Sequence, residues 1–187
     1  MIYKTHSTMA FAVSFLPVFL PENINFITSL DFSLFPYIGV TILLISLFPD
    51  LDERNSYLSR KFPWNLLSIG ITSFTNHRGL THRFLAVFIP PTLITLIELY
   101  TNTIEWLWPL IYFSFISYLS HLIGDGFTIG GLKRFFYPFS KKTVWFLPKS
   151  LRFKTGSFTE NIWLLFFTLI VFLEVFIYLK KTGIFQT

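Results

Sequence analysis

The chain has no cysteine, and its 187 residues include only four histidines and two methionines. Without cysteine there can be no thiolate zinc ligand, no thiol nucleophile and no disulfide, so any metal work falls to histidine and carboxylate. Charge is scarce as well. Only 13% of residues are charged against 52% hydrophobic, and the mean hydropathy is +0.58. One soluble core of this length does not need so much apolar surface, which identifies an integral membrane protein. Period-two alternation is missing too, which argues against an outer-membrane barrel. No internal repeat, low-complexity tract or second domain stands out, so the chain reads as one domain over residues 1–187.

What is present is a set of continuous apolar blocks, and helices are the expected spanning element. The fold class expected is all-α, a polytopic membrane helical bundle. Five spans are expected, over about residues 7–21, 33–49, 84–100, 106–124 and 161–179. The first is short for a hydrocarbon core about 30 Å thick, and Pro17 is placed to kink it. Lys4 followed by apolar residues to Leu20 resembles a signal peptide but lacks a small-x-small cleavage site, so this segment is expected to stay as a first helix. Residues 65–75, with Ser68, Gly70, Thr72 and Ser73, read as a short interfacial or re-entrant helix. The 25 phenylalanines are read as lipid-facing and interhelical packing rather than as a ligand pocket.

Basic residues set the orientation, because short cytoplasmic loops carry the excess of Lys and Arg. Under the five-span reading, thirteen of the fifteen fall on one face and only Lys180 and Lys181 on the other. The basic face is therefore expected to be cytoplasmic, in a cell inner membrane. It includes a long basic loop, residues 126–160, where Lys133, Arg134, Lys141, Lys142, Lys149, Arg152 and Lys154 alternate with aromatic residues. The partner expected for it is anionic lipid headgroup, at about 1 kcal/mol per basic residue near the surface, in preference to nucleic acid.

The same topology gathers the scarce histidines and several carboxylates at the cytoplasmic helix ends. His121-x-x-x-Asp125 is the sharpest local signal, since a spacing of four puts both side chains on one helical face. Asp50-Leu51-Asp52 follows Pro49 and offers two carboxylates, either as a helix N-cap or as ligands. His77-Arg78-Gly79-Leu80-Thr81-His82 puts two imidazoles around a glycine, and the planar fork of Arg78 suits a phosphate. His6 is a further candidate ligand. Glu160 is a candidate acid/base, neighbouring or second-metal residue, or simply a carboxylate at a helix N-terminus. Glu98, Glu105 and Glu174 fall toward the opposite side and are set apart. Imidazole with carboxylate oxygen suits zinc, with manganese or iron as alternatives.

The order His6, Pro49-Asp50-Leu51-Asp52, His77 to His82 and Ser120-His121-Leu122-Ile123-Gly124-Asp125 resembles the YdjM-like family of inner-membrane proteins, regarded as metal-dependent hydrolases. The resemblance covers roughly residues 3–165, and its most specific part is His-Arg-Gly-x-Thr-His. It implies a metal site formed by His6, Asp50, Asp52, His77, His82, His121 and Asp125. The chain departs from the family pattern at Glu53 and Arg83, where the family commonly has His and Ser. The family is itself distantly similar to zinc-dependent phospholipase C and P1-type nucleases, which implies a phosphate-ester substrate, with a lipid favoured by membrane residence. The expectation is a membrane-bound hydrolase using one to three divalent ions, with Arg78 steadying phosphate and Glu160 relaying a proton. The alternatives are a divalent-metal transporter, or a scaffold whose metal ties helix ends together.

Overall fold

The structure is a computed structural model and describes residues 1–21, 24–74, 79–101 and 107–183. Among the described residues six α-helices carry it: α1 (Tyr3–Phe15), α2 (Phe35–Leu47), α3 (Trp64–Phe74), α4 (Ile89–Thr101), α5 (Trp108–Phe127) and α6 (Phe158–Lys181). Among the described residues there is no β-strand, only two isolated bridges, Thr128 with Phe153 and Leu132 with Val144.

Proline marks where these helices begin and where one stops. Pro36 and Pro109 stand in the first positions of α2 and α5, where the missing N–H has no intrahelical partner to lose. Pro17 instead ends α1, and the chain tightens into a 3-10 turn over Leu16–Phe19. Pro49 does the same after α2, giving a 3-10 turn over Phe48–Asp52 that carries both aspartates. At α6, the Ser157 side chain accepts from the Glu160 N–H and caps the helix.

Among the described residues, three helical segments are long and apolar enough to cross a membrane: Phe32–Asp52, Phe84–Thr101 and Phe158–Lys181. Five were expected. The helices in question are present, but α1 has only 13 residues before Pro17 breaks it. α5 has 20 residues and instead contains Ser114, Ser117, Ser120, His121 and Asp125.

Burial gives the reason for that polarity. α5 packs against α1, α2 and α4, and its polar residues are among the most buried in the chain. Serines at intervals of three let neighbouring backbones come close, the usual interface chemistry of membrane helices. α6 does the opposite, showing Leu165, Phe166, Leu169, Phe172 and Phe176 outward. The bundle thus keeps its polar helix inside and its apolar ones toward lipid. A core of Ala10, Ile38, Ile42 and Phe113 fills one end. At the other end, Tyr118, Leu122, Leu132 and Phe135 pack the loop 128–157 against α5, so the chain's ionisable helix ends are covered by ordered structure.

Candidate metal centre

Four polypeptide segments bring histidine and aspartate together at one end of the bundle. α1 supplies His6, the 3-10 turn after α2 supplies Asp50 and Asp52, the segment before Phe84 supplies His82, and the last turns of α5 supply His121 and Asp125. Two overlapping sets result, His6 with His121 and Asp125, and Asp50 with His82 and His121. Within each, the ligand-capable atoms lie within 4.8 Å of one another.

The spacing fits ligation better than hydrogen bonding. His6 Nε2 is 3.4 Å from Asp125 Oδ1, and His82 Nε2 is 3.4 Å from Asp125 Oδ2. Asp50 Oδ1 lies 3.8 Å from His82 Nε2 and 3.7 Å from His121 Nε2. A neutral hydrogen bond would draw such pairs to about 2.7–3.2 Å. Two donors around a tetrahedral zinc, each at about 2.0–2.2 Å from it, lie roughly 3.4 Å apart.

Backbone and side-chain partners aim the imidazoles. His121 Nδ1 lies 2.6 Å from the Ser46 carbonyl oxygen. A carbonyl only accepts, so Nδ1 carries the proton and Nε2 presents its lone pair to the cluster. That Nε2 is buried and makes no hydrogen bond among the described residues, the condition expected of a nitrogen kept for a cation. His82 Nδ1 lies 3.3 Å from Asp52 Oδ2, the carboxylate–histidine arrangement that orients a metal ligand from behind. His6 and His121 stack at 3.7 Å between ring centroids, 8° from parallel.

Asp52 is therefore placed differently from Asp50. Its Oδ2 accepts from the Thr81 hydroxyl at 2.5 Å and the Gly79 N–H at 3.2 Å, besides facing His82 Nδ1. The two aspartates hold His82 from opposite ring nitrogens, Asp50 on the cluster side and Asp52 behind. Tyr118 completes this support by donating to the Thr81 carbonyl at 2.7 Å. Neither Tyr118 nor the Ser46 carbonyl was expected from sequence. The carbonyl leaves no mark in side-chain identity, whereas Thr81, next to His82, could have been read as its hydrogen-bonding neighbour.

Glu160 is fully buried, with both carboxylate oxygens engaged by backbone donors: the Ile2 N–H at 2.6 Å on Oε1 and the Gly156 N–H at 2.6 Å on Oε2. Here it fastens the start of α1 to the start of α6 in a variant of the capping box, reaching back past Ser157 to Gly156. The Met1 ammonium, 2.8 Å from Asp125 Oδ1, adds a positive charge beside the cluster. His77 and Arg78 lie outside the described residues.

His82, which sits between the spans, is held above its ordinary range. Burial pushes its pKa down, but the neighbouring Asp125 and Asp52 carboxylates outweigh this and raise it from 6.5 to about 9. His6, His82, His121 and Asp125 are each no more than 2% exposed. Such a concentration of ionisable groups beside a bilayer is costly, and buried neutral packing gives no reason for it.

Comparison with known proteins agrees with the membrane architecture. The profile of the YdjM inner membrane protein family matches residues 1–184. The inner membrane protein YdjM of Escherichia coli (strain K12) is 32% identical over 99 residues, covering 51% of this chain and 47% of that protein. The namesake protein of Shigella flexneri matches to the same extent. These alignments span about half the length of the curated relatives. No solved structure matches the chain. With nearly its whole length matched by the family profile, the chain belongs to the YdjM inner membrane protein family.

Proposed function

We propose that this protein is a membrane-bound metal-dependent hydrolase acting on a phosphate ester, a lipid phosphate or phospholipid, from the cytoplasmic side of the inner membrane. The observation that carries the reading is the convergence of His82 Nε2 and His121 Nε2 on Asp50, with the far nitrogen of each imidazole facing an acceptor. His6, His82, His121, Asp50 and Asp125 would hold one or two divalent ions, zinc by donor chemistry. Asp125 would contribute its carboxylate, with Oδ2 facing His82 and Oδ1 facing both His6 and the Met1 ammonium, which would have to give way if Oδ1 took an ion. A bound ion of this kind supplies an activated water near neutral pH and polarises a phosphoryl oxygen.

The protein's own residues do the rest. Asp52 and Ser46 keep the imidazoles aimed, and Asp50, at 21% exposure the most open member of the cluster, marks the side from which substrate and water approach. On the sequence pattern alone, Arg78 is assigned to steady the phosphate and His77 to add a metal ligand. The loop 128–157, with seven basic residues next to the ends of α5 and α6, would concentrate anionic lipid nearby. Its charge also supports a cytoplasmic orientation.

The test is metal analysis of the purified protein together with phosphate release from mixed micelles of phosphatidic acid. Wild type is expected to retain zinc near stoichiometrically and release phosphate, and His121→Ala to lose both. Metal-free wild type with untouched substrate would overturn the reading. The deep burial of four of the five ligands favours a second reading, a structural ion that ties helix ends, since structural zinc sites are closed. In that case His121→Ala would lower the melting temperature and metal content, while wild type would hydrolyse no phosphate ester.

A further inference from the structure

The far end of the bundle holds a buried acid that the metal centre does not use. Glu174 lies within the most apolar span, Phe158–Lys181, yet it is only 3% exposed. Helical rise places it about 21 Å along α6 from Glu160. Its neighbours Leu173 and Phe176 face outward, whereas Glu174 turns in toward α1 and α2. Among the described residues its Oε1 has no hydrogen-bond partner. Lys181, about two turns further along α6, is engaged elsewhere, donating to the Leu20 carbonyl at 2.7 Å.

Glu174 lines a cavity of about 280 Å³ whose remaining wall is almost wholly apolar, including Phe11, Phe15, Phe35, Val171 and Tyr178. The rings adjoin one another. Phe15 and Phe35 have centroids 6.2 Å apart, and Phe35 and Tyr178 5.3 Å apart. Aromatic faces are negative and attract a cation, and an acid in apolar surroundings stays neutral unless a positive partner lets it ionise. An anion would be repelled by an ionised Glu174, and a neutral hydrocarbon would leave the buried carboxyl without a polar partner. A hydrated metal ion would find one carboxylate and too few further oxygens to replace its water.

We propose that this cavity binds a lipophilic organic cation, a tertiary or quaternary ammonium bearing small alkyl or aryl groups, with Glu174 as its counter-ion and the phenylalanine and tyrosine rings as its cage. The volume suits a ligand of about a dozen non-hydrogen atoms, at the small end of ordinary ligand pockets. The site is separate from the metal centre and does not depend on the hydrolase reading.

Benzyltrimethylammonium is the probe, titrated calorimetrically into the full chain purified in a neutral detergent, with neopentylbenzene as its uncharged isostere. Saturable one-to-one binding is expected, at least tenfold weaker in Glu174→Gln and several-fold weaker in Phe35→Leu, which removes a ring while keeping the wall apolar. Neopentylbenzene should not displace the cation, and His121→Ala should bind it as wild type does. The proposal is overturned if no saturable binding occurs, if Glu174→Gln binds as tightly as wild type, or if the uncharged isostere competes equally.

Discussion

Asp52→Asn separates a supporting carboxylate from a ligating one. Asp52 meets His82 at Nδ1, 3.3 Å away, and is itself held by Thr81 and Gly79. Asp50 stands on the opposite, Nε2 side. Asparagine preserves shape but removes the charge that keeps the Nδ1 proton facing Asp52. Losing such a partner behind a metal-bound histidine typically lowers metal affinity about 10–100-fold, or about 1.4–2.8 kcal/mol. Hydrogen bonds to a charged group, at about 1.5–3 kcal/mol each, give the same order. Asp50→Asn removes a proposed ligand atom and is expected to cost more. The assay is competition for zinc between the purified protein and a fluorescent chelator, with wild type, Asp52→Asn and Asp50→Asn compared at one pH. Equal losses in the two variants, or a larger loss in Asp52→Asn, would mean that Asp52 ligates. An unchanged affinity in Asp52→Asn would refute the orienting role assigned to it.

Three other outcomes are expected. Glu160→Gln puts an amide NH2 against one of two backbone N–H donors, so thermal unfolding should show a loss of about 1–3 kcal/mol; an unchanged melting temperature would remove Glu160 as a fastener. Tyr118→Phe deletes the donor to the Thr81 carbonyl and should cost about 1 kcal/mol in the same measurement, with a weaker metal site, whereas no effect on either would disconnect Tyr118 from His82. In chelator-treated protein, His82 stabilises through its charged form, because its pKa rises from 6.5 unfolded to about 9 folded. That contribution is complete below pH 6.5 and is lost as pH rises through about 9. The melting temperature should fall across this window without metal, and added zinc should reverse the fall most strongly at its alkaline end, where the imidazole no longer carries the competing proton. A flat profile in metal-free protein would contradict the paired state of His82.

Residue order alone was enough to establish a helical membrane protein and to place His6, His82, His121, Asp50, Asp52 and Asp125 at or beside helix ends. Those properties are local: apolar runs, proline positions and a spacing of four between His121 and Asp125 are visible within a few turns of chain. The 11-residue helix α3 likewise lies where the short polar-interrupted segment was expected. The count of spans was less legible, because α5 is buried in protein and can be polar where a lipid-facing helix cannot. Only the tertiary structure decided which aspartate faces the cluster and which stands behind His82, and that Glu160 engages the backbone at Ile2 and Gly156. The His121 tautomer likewise depends on a carbonyl 75 residues away in the chain. Such assignments depend on distances between segments brought together by folding, and on backbone groups that every residue type shares, so no pattern of side chains along the chain could have revealed them.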